Sequence, residues 1–155
     1  MFSLDVNTRT LLIALMAFTF GTNLFGGARV DLSTPERAVQ SLEDAWRAKD
    51  IENAVRCKDF RGEAEQILRD KPATVRTEDV IVQTAQVLEM GYRAEIKKSG
   101  FPKIQGVTST FSGKRQLSPD RVELTETFRF PDGTTHTEKV QVRHTKDGWR
   151  VISAP

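Results

Sequence analysis

The clearest pattern in the chain is an alternation of apolar and polar residues over positions 122–130. A period of two is typical of a β-strand with one buried face. Glu126 breaks the apolar row at its middle. The sequence therefore predicts a half-buried strand that carries a carboxylate on its apolar side.

Pro-Asp-Gly at positions 131–133 predicts a three-residue hairpin loop after this strand, with the glycine in the left-handed backbone region. The loop places Leu124 opposite Val140, so that the apolar faces of the two strands match. The same register places Glu126 directly opposite Glu138. Two charged carboxylates opposed on an apolar face destabilise each other, which makes this pair the first candidate for a functional site.

Pro-Asp at positions 119–120 predicts a two-residue turn before the strand. The resulting register places Gly113 beside Glu126 and Arg115 on the diagonal of the same face. The glycine would leave open space above the carboxylate, as a cavity acid or base requires. Arg115 offers the plainer alternative of a structural ion pair.

Lys-Asp-Gly at positions 146–148 predicts a second three-residue loop, which sets Val142 opposite Ile152. This register places Trp149 and Val151 on the polar face of the sheet. There Trp149 is either an edge residue packed under a loop or the anchor of a partner interface, since aromatic residues are favoured in such interfaces. A homodimer through the sheet face is one such interface.

The three turns agree on one buried sheet face, which comprises Val107, Phe111, Leu117, Val122, Leu124, Phe128, Phe130, Val140, Val142 and Ile152. The first half of the chain has the helical periodicity needed to cover it. Ser33 and Glu36 form a capping-box pattern, Asp50 is placed to cap a second helix, and Pro72 ends the helical pattern. A long helix follows over residues 77–100. Helices first and antiparallel strands afterwards predict an α+β fold, with helices packed on a curved sheet in a conical, barrel-like arrangement.

The N-terminus has the layout of a secretory signal peptide: Arg9, an uncharged apolar run over 11–20, and small residues before Ala28. We expect cleavage after Ala28, which leaves residues 29–155 as one domain in the bacterial periplasm or outside the cell. The alternative is an uncleaved membrane anchor over residues 11–28.

Composition excludes several classes of site. A net charge of +2, from 23 basic and 21 acidic residues, provides no clustered footprint for nucleic acid. Cys57 is the single cysteine, so an intramolecular disulfide and a cysteine-based zinc site are both excluded. His136 and His144 are eight residues apart on one predicted strand, roughly 26 Å at 3.3 Å per residue, too far to share a metal ion. We expect neither a metal nor a cofactor.

Residues 33–153 resemble the nuclear transport factor 2-like superfamily, also called SnoaL-like or cystatin-like. The resemblance is carried by residues 34–55, which are similar to the opening helix, break and second helix of the family, by the long helix before the sheet, and by Gly-Trp-Arg-Val-Ile at 148–152. It implies a sheet that curls around a cavity under the helices. It implies no single function, because members include isomerases, dehydratases, transport adaptors and toxin-immunity proteins.

The resemblance draws attention to Tyr92, the only tyrosine, because ketosteroid isomerase of this superfamily uses a cavity Asp and Tyr. Tyr92 does not map onto a known catalytic position, so no catalytic residue is assigned; Glu126, Glu138 and Tyr92 are the candidates. The favoured hypothesis is a secreted, non-enzymatic domain that binds a protein partner or a small ligand through Glu126, Arg115, Tyr92 and Trp149. The alternatives are an isomerase or dehydratase that uses Glu126, and a toxin-immunity protein.

Overall fold

The computed structural model describes residues 29–152. The predicted signal peptide, its cleavage after Ala28 and the alternative anchor over 11–28 lie outside these residues. The described part contains four helices, α1 Pro35–Ala48, α2 Ile51–Cys57, α3 Phe60–Leu68 and α4 Glu78–Ser99, followed by four strands, β1 Thr108–Ser118, β2 Arg121–Arg129, β3 Thr135–Thr145 and β4 Gly148–Ile152. Within it, no helix is both long enough and apolar enough to span a membrane.

Each helix begins at a side chain that accepts a hydrogen bond from the first turn. These N-caps are Thr34, Asp50, Asp59 and Thr77. The predicted cap at Ser33 is therefore wrong by one residue. Thr34 has the extended backbone of a cap, whereas the hydroxyl of Ser33 donates to Asp31.

The four strands form one antiparallel sheet in the order β1-β2-β3-β4. Four helices that precede such a sheet confirm the predicted α+β class. The β2–β3 register is also confirmed, because Leu124 pairs with Val140 and Glu126 pairs with Glu138.

The register predicted for β1 is wrong beyond its first pair. Ser118 pairs with Arg121 as expected, but the register shifts at Leu117 and again at Gly113, so that Phe111 lies opposite Glu126. Each shift is a bulge, in which one strand carries an extra residue that has no partner. Gly113 accommodates its bulge with a φ of 75°, in the left-handed region.

The register predicted for β4 is wrong by one residue. Thr145 pairs with Gly148 across a two-residue turn, so Val142 lies opposite Val151 rather than Ile152. A one-residue slip exchanges the two faces of a strand. Val151 is therefore buried in the core instead of lying on the polar face.

The core lies between α1 and the inner face of the sheet. It contains Ala38, Val39, Leu42 and Ala45 from α1, Ala54 and Cys57 from α2, and Val122, Leu124, Val140, Val142 and Val151 from the strands. Two predicted members, Leu117 and Phe130, are each 37% exposed, one in a bulge and the other beside the hairpin tip. The long helix α4 packs mainly on α3, and none of its residues is buried.

Candidate functional site

A cavity of about 170 Å³ lies between α1 and the inner face of the sheet. Its wall is mostly apolar, with charged groups at a few points. The lining residues are Val39, Leu42, Glu43, Trp46, Lys58, Glu126, Phe128, Glu138, Lys139, Val140, Val151 and Ile152. The cavity brings Glu126 and Glu138 to one wall.

Glu126 occupies an inward position of β2, because the strand period of two places it in line with Val122 and Leu124. It is only 1% exposed. Burial raises the pKa of its carboxyl to about 8, and a hydrogen bond and charge from Glu43 add to the increase. The nearby Ser109 hydroxyl opposes the rise. Glu126 therefore holds a proton at neutral pH.

Glu43 faces Glu126 from α1 and is itself buried. Its Oε2 accepts hydrogen bonds from the Ser109 hydroxyl at 2.8 Å and from Arg47 Nη2 at 3.2 Å. No N–H or hydroxyl group of the described residues donates to Glu43 Oε1 or to Glu126 Oε1, and the proton on Glu126 forms the hydrogen bond between the two carboxyls. Two adjacent buried carboxyls that share one proton are thus presented at the cavity wall.

Sequence reasoning missed Glu43, although a signal for it was present. Glu43 lies on the apolar stripe of α1, with Val39, Leu42 and Trp46 at helical spacing around it. A carboxylate within such a stripe is as anomalous as Glu126 within its strand. A helical projection of α1 would have found it, but only the fold shows that the two carboxyls meet.

Lys58 is a second buried charge that was not predicted. It lies between α2 and α3, where its backbone forms a parallel bridge with Val151 of β4. Its ammonium group is 2.8 Å from Glu63 Oε1 and lies over the rings of Phe60 and Tyr92 at 5.4 and 5.2 Å from their centroids. The lysine therefore lines the cavity while its charge is balanced from α3.

Tyr92 lies behind the cavity wall rather than in it. Its hydroxyl accepts a hydrogen bond of 2.8 Å from Trp46 Nε1, and Trp46 lines the cavity. Burial raises the pKa of the Tyr92 hydroxyl. Because Tyr92 contacts the back of Trp46, it fixes the orientation of an aromatic wall.

The predicted placement of Arg115 is wrong. The bulge at Leu117, between the turn and Arg115, turns Arg115 to the outer face, where its guanidinium pairs with Glu123 at 3.0 Å and is 66% exposed. Gly113 likewise does not lie beside Glu126, since a Cβ at this position would contact Thr125 at 3.6 Å. No structural ion pair with Arg115 therefore neutralises Glu126.

Glu138 lies opposite Glu126, as predicted, but in a different environment. Its side chain is 48% exposed, and His136 Nε2 is 3.7 Å from one of its oxygens. Residues 135–139 at the start of β3 are all exposed, so Glu126 is buried while Glu138 is in contact with solvent.

The predicted position of Trp149 on the polar face is also wrong, because of the slip in β4. Trp149 shares the inner side with Val151, packs against the core and meets His144 edge-on at 5.1 Å. Trp149 therefore does not lie on the outer sheet face, where the expected homodimer would use it as an aromatic contact. That dimer stays a prediction.

A second buried ion cluster joins α3 to β3. The Arg143 guanidinium donates to both oxygens of Asp59, at 2.6 and 2.9 Å, and to Glu65 at 2.7 Å. Asp59 also caps α3 through the Gly62 amide. With its oxygens bonded in this way, the cluster serves as a structural attachment. Among residues 29–152, no three His, Cys, Asp or Glu side chains are grouped as metal ligands.

Comparison with known proteins finds similarity only among solved structures. No protein-family model and no curated protein matches the sequence. A candidate NTF2-like transpeptidase from Campylobacter jejuni is 16% identical, covering 79% of this chain and 100% of its own, with a TM-score of 0.41. An NTF-2 like protein of unknown function from Shewanella oneidensis MR-1 is 12% identical, covering 76% and 91%, with a TM-score of 0.37. Both carry the name of the superfamily that the sequence resembles; neither indicates an activity for this chain.

Proposed function

We propose that the protein is a small-molecule-binding domain whose ligand occupies the cavity between α1 and the sheet. The observation that carries this proposal is the pair of buried carboxyls at the cavity wall, whose oxygens Glu43 Oε1 and Glu126 Oε1 receive no hydrogen bond from an N–H or hydroxyl of the described residues. A buried polar atom without a hydrogen bond costs about 1–3 kcal/mol. The single proton that the two carboxyls share leaves acceptor positions open, and a ligand that donates to them would recover part of this free energy.

The dimensions of the cavity limit the ligand. An apolar protein cavity of about 150 Å³ accommodates benzene, and the present cavity, of about 170 Å³, is similar. Drug-sized ligands occupy pockets of about 300–1,000 Å³. The ligand, or the part of it that enters, is therefore a small ring or a short branched chain.

The second candidate function is an enzyme of the isomerase or dehydratase type. Glu126 favours it, because a cavity carboxyl with a pKa of about 8 is suited to general acid–base catalysis near neutral pH. In such an enzyme Glu126 would transfer a proton to or from the substrate, and Tyr92 would hold the orientation of Trp46 in the cavity wall. Ligand binding is common to both candidates, so it is the property to test first.

We further propose that the domain works in the periplasm or outside the cell, with residues 1–28 acting as the signal peptide. The apolar run over 11–20 and the small residues ending at Ala28 support this assignment. N-terminal sequencing after expression in bacteria should begin at Arg29. An intact Met1 on the mature protein would refute cleavage.

The ligand-binding proposal is tested by screening aromatic and aliphatic fragments of about ten non-hydrogen atoms or fewer by ligand-observed NMR. Val39 lines the cavity, so Val39→Trp should fill it and abolish binding. Val87, which is 66% exposed on α4, provides the matched control, and Val87→Trp should bind as the wild type does.

Circular dichroism establishes that both variants are folded. If Val39→Trp does not fold, Glu126→Gln, which conserves volume, replaces it and should change the set of fragments that bind. Absence of any bound fragment, or equal binding by the wild type and the filled variant, would contradict a ligand site in this cavity.

A further inference from the structure

We propose that the ligand of this cavity is a small organic cation. Its head group presents two N–H donors to Glu43 and Glu126, and its apolar body packs against Trp46 and Phe128. This inference rests on the proposed ligand-binding function and specifies its chemistry. An amidinium or guanidinium group with a short hydrocarbon body has these properties.

The hydrogen-bonding capacity of the wall favours a donor over an acceptor. Once Glu126 is ionised, both carboxylates only accept hydrogen bonds, and no N–H or hydroxyl of the described residues donates to Glu43 Oε1 or Glu126 Oε1. The cations of the wall already have acceptors, because Lys58 is paired with a glutamate of α3 and Lys139 lies 3.4 Å from Glu123. A forked N–H group matches carboxylate oxygens in geometry and in charge.

The charges around the cavity also favour a cation. On α1, Glu43 is paired with Arg47, and between α2 and α3, Lys58 has its own carboxylate partner. The carboxyls that remain are Glu126 on β2, which is charged only above its pKa of about 8, and the half-exposed Glu138 on β3. A buried cation next to Glu126 would gain a partner, whereas a buried anion would lack one.

A proton and the cation compete for the same place. In the absence of a ligand, burial raises the pKa of the Glu126 carboxyl to about 8, so the carboxyl is protonated below that pH. Binding of the cation favours the ionised form and so releases this proton. Affinity for the cation should therefore increase from about pH 6 to about pH 9, and proton release should be measurable by calorimetry in buffers of different ionisation enthalpy.

The test uses the purified full-length protein and three probes of the same shape: benzamidine, benzamide and benzoate. They differ in head-group charge, which is positive, neutral and negative. At about pH 9, isothermal titration calorimetry should show benzamidine binding at least about tenfold more tightly than benzamide, with benzoate weakest.

Glu126→Gln should weaken benzamidine about tenfold and change benzamide by less than about twofold. Glu123→Gln, on the outer face, is the matched control and should alter neither probe. If Glu126→Gln does not fold, Glu43→Gln is measured in its place, with the same expectation.

The possible outcomes separate the two proposals. Equal binding of benzamide and benzamidine, or preference for benzoate, would overturn the cation inference and leave a ligand site in the cavity. Binding of none of the three probes would also overturn it, whereas the fragment screen decides independently whether the cavity binds small molecules at all.

Discussion

At the scale of single residues, burial decides which of the charged side chains is chemically unusual. Glu126 and Glu138 are the same residue type and lie directly opposite each other in adjacent strands. Only Glu126 is excluded from water, because α1 covers its end of β2 while the hairpin leaves Glu138 in solvent. The raised pKa is therefore a consequence of position in the fold.

The first prediction concerns the pH dependence of stability. The pKa of Glu126 rises from 4.5 to about 8 on folding, so the native state binds one proton more than the unfolded state between these values. The stabilising contribution is complete below pH 4.5 and is lost as the pH rises through about 8. The unfolding free energy should fall by up to about 1.4 kcal/mol per pH unit in this window. Glu126→Gln should remove the slope, as measured by urea unfolding across the window.

Glu123→Gln is the control for this measurement. Burial acts against ionisation of Glu123, but hydrogen bonds from Arg115 and Lys139 outweigh it and lower the pKa. Above about pH 6 the carboxyl is ionised in both states, so its removal should leave the slope unchanged between about pH 6 and 8. A slope that persists in Glu126→Gln would show that another group takes up the proton.

The second prediction compares two arginines of opposite burial. Arg143 is bonded to both oxygens of the buried Asp59, so Arg143→Ala would leave an unpaired buried charge. We expect destabilisation of about 3 kcal/mol or more. Arg115→Ala removes an exposed pair with Glu123 and should change stability by less than about 1 kcal/mol. Equal effects of the two substitutions in chemical denaturation would contradict a structural role for the Arg143 cluster.

At the scale of elements, turns and bulges control which side chains meet. The β2–β3 hairpin has the predicted loop, since the Phe130 amide donates to the Thr134 carbonyl and the Gly133 amide donates to the Phe130 carbonyl. In β1, two bulges displace the strand relative to β2, and the one at Leu117 directs Arg115 outward. The β4 register depends on Gly148, whose φ of 110° ends a two-residue turn.

The third prediction tests the junction at Gly148. A Cβ at this position would lie 2.7 Å from Leu32 O, the atom that accepts a hydrogen bond from the Trp149 amide. Gly148→Ala should destabilise the protein by more than about 1 kcal/mol. Gly91→Ala, in open space on α4, should instead stabilise it by about 1 kcal/mol. Thermal unfolding of the two variants measures both changes in stability. If Gly148→Ala were as stable as the wild type, the close contact with Leu32 would be contradicted.

At the scale of the whole molecule, the helices are not equivalent. α1 provides the main cover for the sheet and one of the two carboxyls, whereas α4 packs mainly on α3 and buries none of its residues. Side chains such as Val87 and Met90 are left mostly exposed on α4. The cavity thus depends on the contact between α1 and the sheet.

The fourth prediction follows from this difference. Segments with little buried surface open at lower free energy than core segments. Amide hydrogen exchange should therefore be faster along α4 than along the central strands β2 and β3. Exchange of α4 as slow as that of β2 would mean that it unfolds only with the core.

The sequence by itself determined the α+β class, the helices, the strands and the register of β2 with β3, because hydrophobic periodicity and turn chemistry are local properties. It also identified Glu126 as an anomaly in its strand. The tertiary structure decided the rest. Bulges, a slip of one residue in β4 and the packing of α1 depend on contacts between distant segments. These contacts moved Arg115 and Trp149 from their predicted faces and brought Glu43 against Glu126, which turned one anomalous carboxylate into a buried pair at a cavity wall.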